Sequence, residues 1–328
     1  NGDGVLDAAE LTAMKEKGRR GKDEQQRPGS ANAAFEVREF KGTNGHTIRY
    51  SLFVPKEKPA ALPLVLCLHG FPDTPATFKL MLPALAQAGF RAVAVTLRGY
   101  EESSLPADGD YSIAALAEDV EAWISALGAQ KAHLIGHDWG ANLVYGAAAK
   151  APARIDKVVT IAVPHAAAFG AALMGDYEQM RRSWYVYLFQ LAGAAELIAS
   201  ANNFAFLKRL WSDWSPGWTD EKLLQSMQKQ LSAPGVLSAA LGYYRTAFNA
   251  VHARADESQA LLATPIAAPA LGICGADDGC ISADIFEAAM PAELVPGGVR
   301  TARVNGAGHF LHLEKPDVVH REILAHLA

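Results

Sequence analysis

Short apolar runs alternate with helical patterns along this 328-residue chain, and that alternation constrains the fold more than any other feature. The runs "LPLVLCLHG", "RAVAVTL", "KAHLIG" and "IDKVVTIAVP" are almost continuously apolar, as strands buried on both faces of a sheet require. Helical stretches such as "SIAALAEDVEAWISALGA" and "ANLVYGAAAKAP" separate them. This βαβ order predicts an α/β fold with a mostly parallel, doubly wound sheet.

The same patterns predict the domain organisation. "FEVREFKGTNGHTIRYSLFVP" is typical of two strands joined by an Asn44-Gly45 turn. The alternation stops over residues 166–255, which contain helical stretches and no convincing strand, and resumes with "APALGICG" and "VRTARVNG". We therefore expect a core of residues 35–165 and 256–328, with residues 166–255 inserted as a helical lid, called the cap below.

Residues 1–34 differ from the rest of the chain. "NGDGVLDAAE" matches the end of an EF-hand calcium loop, with Asn1, Asp3 and Glu10 at its third, fifth and twelfth positions. Because the first two positions and a partner hand are missing, the stretch is better explained as a remnant of a longer precursor or domain than as a calcium site. Residues 15–34 are charged and then rich in Gly, Ser and Ala, which indicates a solvated linker.

Composition excludes several classes of protein. With 30 Lys and Arg against 35 Asp and Glu, the chain lacks the basic stripe of a nucleic-acid-binding protein. No apolar run approaches the ~20 residues that span a bilayer, so we expect a soluble body. Three cysteines, at Cys67, Cys274 and Cys280, do not form a disulfide framework. The compartment stays open, since a chain beginning at Asn1 is compatible with a signal peptide upstream.

The stretch "IGHDWGAN" has the Gly-x-x-x-Gly spacing of a nucleophile elbow, the sharp turn that presents one side chain at the top of a sheet. Its central residue is Asp138 rather than Ser. A helix N-cap would also explain an aspartate here, but not the flanking Gly136 and Gly140. A carboxylate is ionised at neutral pH and needs no base, so it suits displacement at a saturated carbon, leaving an ester.

Two other loops offer the acid and the base of a catalytic triad. "GADDGC" follows a predicted strand and contains Asp277 and Asp278. "NGAGHFLH" follows the last predicted strand and contains His309 and His312. The order nucleophile, acid, histidine along the chain is the order of α/β-hydrolases.

The ordered motifs "HGFPDTPATF", "RGYEESS", "GHDWGA", "GADDGCI" and "GAGHFLHLEKP" resemble the α/β-hydrolase fold, in its aspartate-nucleophile branch of epoxide hydrolases and haloalkane dehalogenases. The resemblance covers residues 35–328. It implies Asp138 as nucleophile, Asp278 of the G-x-x-D pattern as acid and His309 as base. It also implies an oxyanion hole from the backbone N–H groups of Phe71 and Trp139, and substrate contacts from Phe71, Pro72 and Trp139.

Two cap segments resemble those that carry the ring-opening tyrosines of epoxide hydrolases. "WYVYLFQLAGAAE" and "LGYYRTAFN" place these at Tyr185 and Tyr244, with Tyr187 and Tyr243 as open alternatives. The family's usual Asn-Trp-Tyr-Arg is Gly-Tyr-Tyr-Arg here, over residues 242–245. An epoxide leaves as a basic alkoxide and needs such acids, whereas a halide needs only N–H donors.

The resemblance therefore implies a cofactor-independent epoxide hydrolase that converts epoxides and water to vicinal diols, with a small-molecule epoxide as its partner. A haloalkane dehalogenase is the alternative, with cap tryptophans as halide donors (Trp184, Trp211, Trp214 and Trp218). A non-catalytic protein that binds calcium or a partner through its N-terminal extension is the alternative from another class. No closely spaced cluster in the hydrolase body indicates a metal site.

Overall fold

The computed structural model describes residues 33–41, 47–55, 62–101 and 105–328. Within these ranges the strands are β1 (Ala33–Lys41), β2 (Thr47–Pro55), β3 (Leu64–Leu68), β4 (Arg91–Val95), β5 (Ala132–His137), β6 (Ile155–Ile161), β7 (Ala270–Gly275) and β8 (Val299–Val304). They form one eight-stranded sheet in the order β1-β2-β4-β3-β5-β6-β7-β8. Strand β2 is antiparallel to β1 and β4, and all other neighbours are parallel. The prediction of a mostly parallel sheet is confirmed.

The described α-helices are α1 (Met81–Gln87), α2 (Ile113–Ala126), α3 (Trp139–Lys150), α4 (Ala166–Gly175), α5 (Tyr177–Arg182), α6 (Trp184–Leu188), α7 (Ala194–Trp214), α8 (Glu221–Leu231), α9 (Val236–Ala247), α10 (Ala255–Ala263), α11 (Ala283–Ala288), α12 (Leu311–Glu314) and α13 (Pro316–Leu327). Helix α7 is broken at residues 201–204, where the backbone leaves helical geometry. In the described part of the chain, three short 3₁₀ helices cover Pro75–Phe78, Pro152–Arg154 and Ala292–Leu294.

Helices cover both faces of the sheet. Successive side chains of β3 point to opposite faces, as the pleat dictates. Leu66 belongs to the apolar core that contains Trp123 of α2. Cys67 belongs to a second core with Met81 of α1 and Ile323 of α13. Burial on both faces explains why the central strands are almost continuously apolar.

Seven helices, α4 to α10, and no strand lie between β6 and β7. They reach the edge of the sheet where the site lies, since the ring of Trp214 packs 5.2 Å from the ring of His309. The last of them, α10, packs against α2 and α3 of the core. We propose that residues 166–255 form the cap. Helix α4 begins at Ala166, and α10, which packs on the core, begins at Ala255.

Some sequence predictions lie outside the described residues. These are the EF-hand-like positions Asn1, Asp3 and Glu10, and the Asn44-Gly45 turn. Among the helices of the described ranges, none has the length and apolar character needed to cross a bilayer.

Candidate active site

Asp138 lies between the end of β5 and the start of α3. Its backbone has φ 52° and ψ −119°, a conformation that costs a non-glycine residue energy and is typical of functional turns. Close backbone approach explains the neighbouring glycines. A Cβ atom on Gly136 would lie 2.2 Å from the carbonyl oxygen of Gly140, and one on Gly140 would lie 2.0 Å from that of Leu68. The turn therefore has the geometry of a nucleophile elbow.

His309 lies in the loop between β8 and α12, with its imidazole between two carboxylates. Its Nδ1 is 2.9 Å from Oδ2 of Asp278, and its Nε2 is 3.5 Å from Oδ2 of Asp138. Asp278 is held in turn, because its Oδ1 accepts hydrogen bonds from the backbone N–H groups of Cys280 and Ile281, at 2.6 and 3.1 Å. The structure thus brings together the three side chains that the sequence predicted as a triad.

The charges around His309 oppose the effect of its burial. Burial alone would lower the pKa of the imidazole, but the negative charge of Asp278, the hydrogen bond to it and the nearby Asp138 carboxylate raise it well above the ordinary value of 6.5. The raised pKa favours the imidazolium form of His309, which lies between the two carboxylates.

The loop after β3 supplies a donor to the nucleophile. The backbone N–H of Phe71 donates a hydrogen bond to Oδ1 of Asp138 at 2.7 Å. The ring of His69 holds this loop, with Nδ1 3.0 Å from the carbonyl oxygen of Gly70 and Nε2 accepting from the N–H of Leu97. Burial lowers the pKa of His69 to about 4, so the ring is neutral and supports the loop.

Two tyrosines of the cap line a small cavity of about 70 Å³ with Asp138. The rings of Tyr185 and Tyr244 are buried, with centroids 6.0 Å apart. The Tyr185 hydroxyl is 3.2 Å from Sγ of Cys280. The Tyr244 hydroxyl, beside the Trp139 indole, makes no hydrogen bond of standard geometry with any described residue. Burial, and next the neighbouring acidic groups, which include Asp138, raise the pKa of both phenols well above 10, so both stay protonated donors.

A family model for the alpha/beta hydrolase fold matches residues 63–316. The chain is also 30% identical over 273 residues to Epoxide hydrolase 4 of Mus musculus, covering 81% of this chain and 73% of that protein. The chain belongs to the epoxide hydrolase family of α/β-hydrolases. It is a hydrolase.

Solved structures agree with this assignment. Epoxide Hydrolase A from Mycobacterium thermoresistibile is 25% identical, with a TM-score of 0.75 over 90% of this chain and 98% of that one. An epoxide hydrolase from an endophytic Streptomyces is 27% identical, with a TM-score of 0.73 over 92% of this chain and 96% of that one.

In this epoxide hydrolase, the two alternative tyrosines lie outside the cavity of Asp138. The Tyr187 hydroxyl donates to the carbonyl oxygen of Leu173, and 40% of the residue is exposed. The Tyr243 hydroxyl donates to the carbonyl oxygen of Arg98 at 2.7 Å in the core. Neither lines the cavity that contains Asp138.

The alternative acid and base also lie apart from the nucleophile. Asp277 is exposed, whereas Asp278 is buried against the imidazole. His312 is buried, with its Nε2 2.6 Å from Oγ1 of Thr77. Burial, and next the charge of His309, lower the pKa of His312 to about 3, so this ring is neutral.

Of the three residues predicted to contact substrate, one lines the cavity of Asp138 and two do not. Trp139 lines the cavity with the nucleophile. Phe71 is fully buried, its ring 5.3 Å from that of Tyr244. Pro72 turns its carbonyl oxygen to the indole N–H of Trp211, which donates at 2.9 Å. Trp211 is thus committed to the loop rather than free as a halide donor.

Sequence reasoning did not select two residues that line the cavity, Cys280 and Asn142. The signal for Cys280 was its position two residues after Asp278, although nothing in the sequence placed its thiol on Tyr185. A larger cavity of about 570 Å³ also reaches Trp139, but Asp138, Tyr185 and Tyr244 do not line it. The smaller cavity is therefore the one with the reactive groups.

Proposed function

We propose that this protein hydrolyses epoxides to vicinal diols through a covalent ester on Asp138. One observation carries the proposal: the carboxylate of Asp138 and the buried phenols of Tyr185 and Tyr244 line a single cavity. A nucleophile facing two neutral acids suits a strained ether, whose ring oxygen needs a proton as the C–O bond breaks. The names of the relatives point to the same reaction.

In the first step, Oδ2 of Asp138 attacks an epoxide carbon while the two phenols donate hydrogen bonds to the ring oxygen. Oδ1 accepts from the N–H of Phe71 and is thereby kept as the carbonyl oxygen of the ester. The same N–H then stabilises the oxyanion of the second step, together with the N–H of Trp139, which directly follows the nucleophile.

The second step needs a neutral imidazole, and ester formation provides it. In the resting site, the charge of Asp138 helps to raise the pKa of His309. Alkylation of Asp138 removes that charge, so the pKa of His309 falls and the imidazolium gives up its proton. The alkoxide formed by ring opening takes up that proton by way of the phenols, which leaves a hydroxyl group on the ester and a neutral imidazole as the base. It then takes a proton from water, and the hydroxide attacks the ester carbonyl while Asp278 stabilises the imidazolium. The tetrahedral intermediate collapses and breaks the ester C–O bond, and the departing diol oxygen takes the proton of the new carboxyl group, so the Asp138 carboxylate and the imidazolium are restored.

Substrate assays discriminate this reaction from halide displacement. We expect diol formation from styrene oxide and no halide release from 1-bromobutane. Bromide release without diol formation would instead favour the dehalogenase.

A trapping experiment tests the covalent step directly. With His309→Gln, the ester should form but hydrolyse slowly, so mass spectrometry of the peptide containing Asp138 should show the added mass of the epoxide. Diol formation without any adduct in this variant would contradict the ester mechanism.

A further inference from the structure

A buried glutamine attaches the cap to the loop that carries the proposed acid. This loop, residues 276–282 between β7 and α11, is called the acid loop below. Gln179 of α5 is 0% exposed, and its Nε2 donates hydrogen bonds to the carbonyl oxygen of Cys280 and to Oγ of Ser183, both at 2.9 Å. Its Oε1 accepts from the backbone N–H of Ser282 at 3.1 Å. The carboxamide therefore pairs with the main chain of the acid loop in both directions, as donor and as acceptor.

The acid loop connects groups of both proposed half-reactions. Oδ1 of Asp278 accepts from the backbone N–H of Cys280 at 2.6 Å, and its Oδ2 lies 2.9 Å from Nδ1 of His309. The Cys280 thiol lies 3.2 Å from the hydroxyl of Tyr185. Gln179 binds the main chain of the same cysteine. A displaced acid loop would therefore change both the support of the imidazole and the orientation of the phenol.

The chemistry of the side chain is matched to these contacts. The acid loop presents one carbonyl oxygen and one N–H group, so its partner needs a donor and an acceptor, and a carboxamide supplies both without a charge. An aliphatic side chain would leave two buried main-chain groups unpaired, which is costly unless the loop moves. Gln179 is itself fixed, because its backbone N–H donates to Oδ1 of Asp176, the N-cap of α5, at 2.7 Å.

Other contacts attach the cap to the two loops of the triad. Nη1 of Arg182 donates to the carbonyl oxygen of Asp278 at 2.6 Å. The carbonyl oxygen of Trp214, at the end of α7, accepts from the backbone N–H groups of Gly279 and His309, both at 3.0 Å. The cap thus contacts the main chain on both sides of the proposed acid–base pair.

We propose that Gln179 is a positioning residue, which holds the acid loop in place and acts through it on His309 and Tyr185. The inference rests on the proposed function of those two side chains. Gln179 does not line the cavity that contains Asp138, so it acts through the acid loop rather than on the substrate. The 101 residues between Gln179 and Cys280 hid this role from sequence analysis.

Single-turnover kinetics with styrene oxide test the role. Gln179→Met removes the hydrogen bonds at similar side-chain length, so the rate constants of ester formation and of ester hydrolysis should each fall by about tenfold or more. A purely structural defect lowers the amplitude of a single turnover, not its rate constants. Gln228→Met is the matched control, because this buried glutamine donates to the carbonyl oxygen of Asn203 within the cap. Its rate constants should equal those of the wild-type protein.

Gln179→Glu tests the donor by its pH dependence. An ionised carboxylate accepts from Ser282 but cannot donate to Cys280, whereas a protonated carboxyl group does both. Burial raises the pKa of such a group, so the rates of this variant relative to wild type should rise as the pH falls from about 8 to about 6. The same ratio for Gln179→Met should stay flat. Unchanged rate constants in Gln179→Met, or a flat ratio in Gln179→Glu, would refute the positioning role.

Proton NMR separates failure of this inference from failure of the proposed function, because it needs no turnover. The proton between His309 and Asp278 should give a resonance downfield of the backbone amides, absent in His309→Gln. Gln179→Met should shift or broaden this resonance, and Gln228→Met should leave it in place. An unchanged resonance in a folded Gln179→Met protein would refute the positioning role. A wild-type chain that forms no diol would overturn the proposed function instead.

Discussion

The Nε2 atom of His309 lies 3.5 Å from Oδ2 of Asp138, so the proposed base and nucleophile are in electrostatic contact before substrate binds. In the proposed mechanism, this contact couples the two half-reactions. In that mechanism, the charged Asp138 carboxylate favours the protonated form of His309, and ester formation lowers the pKa of His309 so that it can act as a general base. The same geometry therefore suits both steps without movement of the backbone.

Asp138→Asn should lower the rate of epoxide turnover by roughly 10³-fold or more, because an amide is a poor nucleophile toward carbon. The measurement is the initial rate of diol formation by chromatography. Asp277→Asn is the matched control, since it changes an exposed carboxylate next to the proposed acid. A near-normal rate of diol formation in Asp138→Asn would contradict the covalent mechanism.

Tyr185→Phe and Tyr244→Phe should each lower kcat by about 10- to 100-fold, because the remaining phenol still donates to the ring oxygen. The double variant should lose about 10³-fold or more, measured with the same assay. Tyr187→Phe removes a hydroxyl that donates to a backbone carbonyl outside the cavity and should change kcat little. A double variant with near-normal kcat would show that ring opening uses another acid.

Much of this site could be predicted from local sequence. The apolar runs predicted the central strands, and the spacing of glycines around Asp138 predicted the elbow, because both depend on residues close together in the chain. The choice between Tyr243 and Tyr244 could not be made from pattern alone, since adjacent residues of a helix point in different directions. The structure separates them, with one hydroxyl on a backbone carbonyl of the core and the other in the cavity.

Contacts between distant segments could not be predicted. Cys280 and Tyr185 are 95 residues apart, and their contact depends on how the cap packs on the loop after β7. The buried side chains of Asp73, His137 and His312 come together from three separate segments in the same way. Side-chain direction within a loop depends on tertiary packing, which a single sequence does not encode in any short pattern.

Cys280→Ala should lower kcat a few-fold with little change in KM, because the Tyr185 hydroxyl loses its partner at 3.2 Å and is less well oriented. Cys280→Ser should restore kcat, since a hydroxyl can hold the phenol in the same way. Cys274→Ala, which changes a buried thiol within β7, serves as the control. Equal activity of the Ala and Ser variants would show that the contact does not orient the phenol.

Gly140→Ala should destabilise the fold by about 3 kcal/mol, because its Cβ would lie 2.0 Å from the carbonyl oxygen of Leu68. Gly170→Ala is the opposite case. This residue lies inside α4 with nothing within 4 Å of an added Cβ, so the change should stabilise by about 0.5–1 kcal/mol. Urea unfolding followed by circular dichroism measures both, and a tolerated Gly140→Ala would show that the strand-to-helix turn can relax.

His165→Leu should make the protein less sensitive to acid. The side chain is fully buried, both ring nitrogens lack partners among the described residues, and burial lowers its pKa from 6.5 to about 4. The unfolded chain therefore takes up a proton at this residue first, so stability is lost as the pH falls from about 6.5 toward 4. At pH 5 the loss is up to about 2 kcal/mol, at about 1.4 kcal/mol per pKa unit.

Leucine removes that proton uptake, so the free energy of unfolding should fall less between pH 7 and pH 5 than in the wild-type protein. Urea titrations at both pH values measure the difference. His252→Leu, which changes a partly exposed ring, is the control and should leave the wild-type pH dependence largely in place. If the His165→Leu protein lost as much stability on acidification as the wild-type protein, other buried groups would dominate acid unfolding, with the neutral ring of His69 the first to test by the same approach.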